Sequence, residues 1–256
     1  MASPARTFSP DQTGELLDHL TAQIRRTIKR PDERHVHDLR VTIRRFGQAL
    51  AIVKASLVPE NLKEIRVSLK QIMSLAGEVR NCDITVKLLT KMEERVPAAI
   101  GRIRRQNEKP LVSSLQSWLE QDVASQWRAY LEPCRNLSAA ATRTLIRQGV
   151  ARAAQRVHRR ARDLKRSMKA LHKLRIAAKK LRYTLELAGA PSDPVKDLQT
   201  RLGDINDYRA ARRLLKKIPA SSKPGGIAHL RDALARKQRR KVRRFRRDFK
   251  EPAPVR

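Results

Sequence analysis

Glycine and aromatic residues are scarce in this chain: its 256 residues include 9 Gly, 2 Trp, 3 Tyr and 4 Phe. That scarcity argues against a strand-rich fold, which favours aromatic and β-branched residues. It also leaves few flat rings on which single-stranded bases could stack. Cysteine is nearly missing. Cys82 and Cys134 stand far apart with no CxxC spacing, which excludes a zinc knuckle and a disulfide framework. They read as semi-buried thiols of a reducing compartment. No apolar run approaches a membrane span, and Met1-Ala2-Ser3-Pro4 does not begin a signal peptide. The expectation is a soluble, cytoplasmic protein. The signatures GxxxxGK[ST], GxSxG and HExxH do not occur. His19, His35, His37, His158 and His229 have no partners at ligand spacing, so no metal or other cofactor is expected.

Negative charge is the other shortage. Asp and Glu number 25 against 58 Lys and Arg, a formal net charge of +33. Self-repulsion on that scale opposes compaction unless anions neutralise it, so the expected partner is polyanionic. What is abundant is Leu, Ala, Arg, Lys, Glu and Gln, straight-chain or small residues that lose little freedom in a helix. The expected fold class is all-α.

Apolar periodicity and breakers divide the chain. A first helix opens at Pro10-Asp11 with Leu16, Leu17, Leu20, Ile24 and Ile28 on one face, and Pro31-Asp32 ends it. A second is expected over 33–57, and a third from Pro59 to Ala76-Gly77, where glycine marks a bend or a close approach. A continuation covers 84–92. Pro97 and Pro110 punctuate a stretch ending near Pro133, Ser138 caps a basic helix over 139–166, and further helices cover 169–188, 194–217 and 226–249. Residues 221–226 read as a loop and 251–256 as a disordered tail.

The chain repeats itself. His37-Asp38-Leu39-Arg40-Val41-Thr42-Ile43-Arg44-Arg45-Phe46 aligns without gaps on His172-Lys173-Leu174-Arg175-Ile176-Ala177-Ala178-Lys179-Lys180-Leu181. A second echo follows each copy: Leu75-Ala76-Gly77-Glu78-Val79, then Arg201-Leu202-Gly203-Asp204-Ile205. Two motifs in the same order point to a duplicated helical unit. On a helix, His172, Arg175, Lys179 and Arg182 share an arc of about 80°. Leu174, Ala177, Ala178, Leu181 and Leu185 lie opposite. His37, Arg40 and Arg44 align likewise against Leu39, Ile43, Phe46 and Leu50, with Arg45 and Lys180 flanking.

Residues three or four apart on a helix are neighbours, so each row can track a string of phosphates. A basic stripe opposite an apolar one is also what a solvated amphipathic helix shows. Its recurrence with histidine at the same offset, and with very few interleaved acids, favours a site. Asp83, Asp204 and Asp207 are expected to cap helices or to pair with arginines inside the bundle, and Tyr183 and Glu186 to serve packing and ion pairing.

At these residues the chain resembles the CHAD family, the conserved histidine α-helical domain. Leu171 to Tyr183 resembles its second histidine motif, and Val36 to Val41 with Arg44-Arg45 the first. Leu198-Gln199 with Leu202-Gly203-Asp204-Ile205-Asn206-Asp207 resembles the motif that follows the second. Arg80-Asn81-Cys82-Asp83-Ile84 has Asn81 where the family usually carries aspartate. The resemblance spans about 8–250. It implies two antiparallel helical bundles related by a pseudo-twofold axis, about 8–133 and 136–250, with a basic central channel or groove between them. It further implies non-enzymatic binding of inorganic polyphosphate, in some members at polyphosphate granules. Carried over by position, His37, Arg40, Arg44, Arg45, His172, Arg175, Lys179 and Arg182 would line the channel, with Arg80 and Lys180 as further candidates. Many relatives are fused to a triphosphate-tunnel enzyme with an ExExK signature, which this chain lacks. The rival readings are non-specific nucleic-acid binding, a phosphoanhydride-processing enzyme using histidine, and attachment of basic helices to an acidic membrane surface.

Overall fold

The structure, a computed structural model, describes residues 8–9, 11–163, 167–219 and 226–249, with the backbone only at 194. Among the described residues the chain is helical without strands: α1 (Gln12–Lys29), α2 (Glu33–Val53), α3 (Pro59–Lys91), α4 (Ala98–Glu120), α5 (Val123–Arg135), α6 (Ala139–Arg162), α7 (Met168–Leu187), α8 (Asp193–Leu215) and α9 (Ile227–Asp248), with a 3-10 turn at Lys54–Ser56. The expected loop at 221–226 falls almost wholly outside the described residues, as does the 251–256 tail.

Local chemistry accounts for most boundaries. Asp32 accepts the His35 amide at 2.9 Å, capping α2. Ser138 does the same for Ala141 and Ser167 for Ala170, each at 3.1 Å. Pro59 starts α3 at a position where its missing N–H costs nothing. Two expectations fail. Gly77 does not break α3, which runs unbroken for 33 residues; its flanking residues still bury Ala76 and Val79 on the helical period. The stretch before Pro133 is instead divided at Asp122, whose φ of 44° is left-handed and ends α4, while Pro110 and Pro133 lie inside helices. Aspartate visits that region more readily than most side chains, which is why a break forms there without glycine.

Helix pairing determines where the site lies. α2 packs on α3, α3 on α8, α8 on α7, and α7 on α2, so these four close a ring. α1, α4 and α5 pack around α2 and α3, while α6 and α9 cover α7 and α8. Three apolar clusters hold the assembly. One joins α1–α5, including Leu39, Phe46 and Trp127. A second joins α6–α9, including Leu174, Leu181 and Phe245. The third brings Cys82, Leu89 and Ile100 against Tyr208, Leu214 and Leu234. The apolar faces expected on α2 and α7 are buried as read, each large side chain contributing about 1.5–3 kcal/mol. The few aromatics are concentrated: Phe46 stacks on Trp127 at 6.0 Å, and Trp118 meets Trp127 edge-on at 5.5 Å. Both cysteines are fully buried and unpaired, and burial pushes their thiols up to about 11. Neither thiol is poised to react.

Candidate anion-binding site

No residue of the two cationic rows belongs to the three apolar clusters. The rows meet where the four ring helices meet. Arg40 and Arg44 from α2 stand within electrostatic range of Arg175 and Lys179 from α7, and Arg80 of α3 reaches Arg40 as well. Arg40 Nη1 donates to the Met73 carbonyl at 2.8 Å, which fixes its guanidinium across the α2–α3 contact. Gly77 makes room for it, because a Cβ there would stand 3.0 Å from the same nitrogen. The close approach read from this glycine is therefore real, although the bend is not.

Charge in this cluster is poorly compensated. Burial, then the Arg44, Arg175 and Arg80 charges, bring the Arg40 guanidinium down to about 9, so it stays charged at neutral pH. Burial, then Arg175, Arg44 and Arg40, push the Lys179 amine down to about 6. Burial lowers Arg175 too, and Arg44 adds to this against the opposing pull of Asp207. Asp207 of α8 is the carboxylate facing the cluster, and burial holds it above its ordinary value despite Arg175 and Lys179. Glu33, 2.7 Å from Arg80, and Asp38 beside His37 sit at the rim. In this cluster, two buried polar atoms find no hydrogen-bond partner among the described residues: Arg175 Nε and His172 Nδ1. A buried donor without an acceptor costs about 1–3 kcal/mol, a penalty that an incoming oxyanion would relieve.

The two histidines sit at the margins of the same cluster. His37 is lowered by burial, then by Arg80, Arg44 and Arg40, with Asp38 opposing. His172 is lowered by burial, then by Arg209 and Arg175, while a hydrogen bond with Asn206 opposes. His172 also lines a cleft of about 200 Å³ between α3 and α8, with Asn81, Asn206, Arg209, Arg213 and a Lys217–Glu78 ion pair at 2.7 Å. Asn81, the departure from the family motif, thus supplies an uncharged amide where a carboxylate would repel anions. Arg209 and Arg213 escaped the sequence reading, although Asn206, Arg209 and Arg213 recur at helical spacing along α8.

Three candidates stand elsewhere. Arg182 donates to Glu186 at 2.7 Å and lies over the Tyr183 ring, while Arg45 approaches the same carboxylate at 3.5 Å. Tyr183 is buried, so the packing and pairing roles expected for Tyr183 and Glu186 hold. Lys180 faces away from the cluster into a different cleft, beside Arg66 and Arg156. The expected pairing of acidic residues with arginines inside the bundle holds for Asp83, which meets Arg104 at 2.8 Å; Asp204 instead pairs with Lys241 at the exposed surface.

Among the described residues no group of three or more His, Cys, Asp or Glu could hold a metal ion, and no helix is long and apolar enough to cross a membrane. No curated protein matches the chain. Among solved structures, the crystal structure of the CHAD domain from the plant Ricinus communis is similar, at 20% identity and a TM-score of 0.73. The match covers 100% of this chain and 97% of that one. PptA from Streptomyces chartreusis is similar at 15% identity and a TM-score of 0.60, with 94% and 97% covered. At those identities the likeness is one of fold. The CHAD domain family profile matches residues 12–216, and the chain belongs to that family.

Proposed function

We propose that this CHAD protein binds inorganic polyphosphate without turning it over, in a basic channel formed inside the ring of α2, α3, α7 and α8. The observation that carries the reading is a buried set of cations with unmet hydrogen-bonding capacity, Arg175 Nε foremost, faced among the described residues by the Asp207 carboxylate. Arginines supply forked donors and lysine a point charge, both suited to successive phosphoryl groups. In this reading His37, Arg40, Arg44, Arg80, His172, Arg175 and Lys179 contact the chain. Arg45, Arg182 and Lys180 attract it from outside.

We also read 8–133 and 136–250 as copies of one unit. The recurrence of contacts supports this: α1–α2, α2–α3 and α3–α4 are matched by α6–α7, α7–α8 and α8–α9. Recruitment to polyphosphate granules in the cytoplasm belongs to the same proposal.

Competition tests the ligand. At equal phosphate concentration and moderate salt, long-chain polyphosphate should displace duplex DNA and resist displacement by it. The reverse result would favour the nucleic-acid reading, for which the exposed groove of α9 with Lys237, Arg240, Arg243 and Arg244 offers a surface. Incubation with polyphosphate and divalent cations tests turnover. Phosphate release that disappears in His172→Ala would overturn binding without catalysis.

A further inference from the structure

Lys180 opens onto a cleft of about 240 Å³ where the end of α2, the start of α3, and the middles of α6 and α7 meet. Five cations surround it: Lys54, Arg66, Arg152, Arg156 and Lys180. Gln48 adds an amide, and no acidic residue lines the cleft. Among the described residues none of the five cations is in an ion pair. The Lys180 amine lies below its ordinary range, by burial and then by Arg156 and Arg66, so these charges act on one another across the cleft. Like charges gathered on a concave surface focus an attractive field on an anion.

Comparison of the two repeats sharpens the point. The gapless match of 37–46 on 172–181, extended along the same two helices, pairs Arg45 with Lys180 and Ala51 with Glu186. Around Arg45, the Glu186 carboxylate occupies the cations, taking Arg182 at 2.7 Å and Arg45 at 3.5 Å. Around Lys180, the corresponding position is Ala51, which lines the cleft and neutralises nothing. One repeat carries its own counter-ion and the other leaves the place open.

We propose that the Lys54–Arg66–Arg152–Arg156–Lys180 cleft is a second phosphoryl-anion site, separate from the central cluster and able to hold a short oligophosphate or a chain end. The choice of ligand class rests on the polyphosphate reading above, but the site itself does not. Binding here is non-covalent, with Arg66 and Arg156 donating to phosphoryl oxygens and Lys54, Arg152 and Lys180 supplying charge.

Tripolyphosphate titrated by calorimetry at moderate salt is the test. The native protein should bind two equivalents. Ala51→Glu, which installs the carboxylate found at position 186, should remove one and leave the other. Arg66→Ser with Arg156→Ser should do the same, and serves if the glutamate perturbs folding. Lys179→Met should weaken the remaining equivalent while sparing this one. Binding with no equivalent sensitive to the Ala51 or the Arg66/Arg156 changes, whether the native protein takes one equivalent or two, would overturn the inference. If the equivalent sensitive to Ala51→Glu is present and Lys179→Met affects nothing, the central reading fails and this one stands.

Discussion

At neutral pH the Lys179 amine, pushed down to about 6, is largely unprotonated, so binding of a phosphoryl group beside it draws a proton from solvent. A bound anion raises the pKa of the amine, and the complex therefore holds more protons than the free protein. By linkage, affinity rises as pH falls. The rise begins below lysine's ordinary 10.5 and levels off near about 6. His37 and His172, also lowered, extend it below the ordinary histidine value of 6.5. Polyphosphate affinity at constant ionic strength should strengthen by about tenfold or more from pH 8 to pH 6, and the same affinity at both would remove the row from the binding step. Lys179→Met should flatten that dependence. It should also raise the anion-free stability by about 1–2 kcal/mol, measured by urea unfolding at pH 7. The sign follows because the unfolded lysine gains its proton near 10.5 and the folded one only near about 6, so stability is lost as pH falls between them. Gly77→Ala is a subtler residue-scale test. The added methyl meets Arg40 Nη1 at 3.0 Å, so the guanidinium must leave the Met73 carbonyl. Helix propensity gains about 1 kcal/mol and offsets the lost hydrogen bond. The expected result is near-unchanged stability with polyphosphate affinity weakened by about threefold to tenfold.

At the scale of helices, the rows on α2 and α7 should matter more than the equally basic α9. Arg40→Glu with Arg175→Glu should weaken polyphosphate binding by about a hundredfold or more, whereas Arg240→Glu with Arg243→Glu should cost about threefold or less. Equal losses would mean diffuse attraction. Replacing Glu186 with alanine releases Arg45 and Arg182 from their shared carboxylate, so affinity should rise by about threefold to tenfold, read by the same titration. Much of this was legible beforehand, because it depends on single-helix periodicity. The buried faces of α2 and α7, the cap at Ser138, and the alignment of Arg40 with Arg44 and of Arg175 with Lys179 all follow from residue identity and spacing. The row was harder to end correctly: Arg182 shares the arc of Lys179 but is held by Glu186, one turn further on. Partners that come from other helices were not legible. Nothing in the sequence near Lys180 announces Arg66 and Arg156, and nothing near His172 announces Arg209. Helix crossings bring those side chains together, and periodicity along one helix carries no information about crossings.

For the molecule as a whole, a net charge of +33 means that the folded state works against itself electrostatically. Stability should therefore depend on the ionic surroundings more than is usual for a helical protein. A polyanion that binds only the folded form adds about 2.7 kcal/mol at a hundredfold excess over its dissociation constant. Thermal denaturation should show Tm rising with added polyphosphate, and rising less with sodium chloride at matched ionic strength. An identical shift from both would attribute the effect to screening alone.

The unbroken course of α3 has a consequence for any attempt to divide the molecule. Over about 50 Å this helix enters two separate cores. Ile65, Leu69, Ile72 and Val79 lie in the one built with α1, α2, α4 and α5, and Cys82 and Leu89 in the one shared with α8 and α9. A fragment ending near residue 135 would keep the first core but expose the apolar far end of its longest helix. Gene fission between the repeats should then yield a first piece that clumps unless its complement is co-expressed. The half before α6, in other words, should need the rest of the chain to stay in solution.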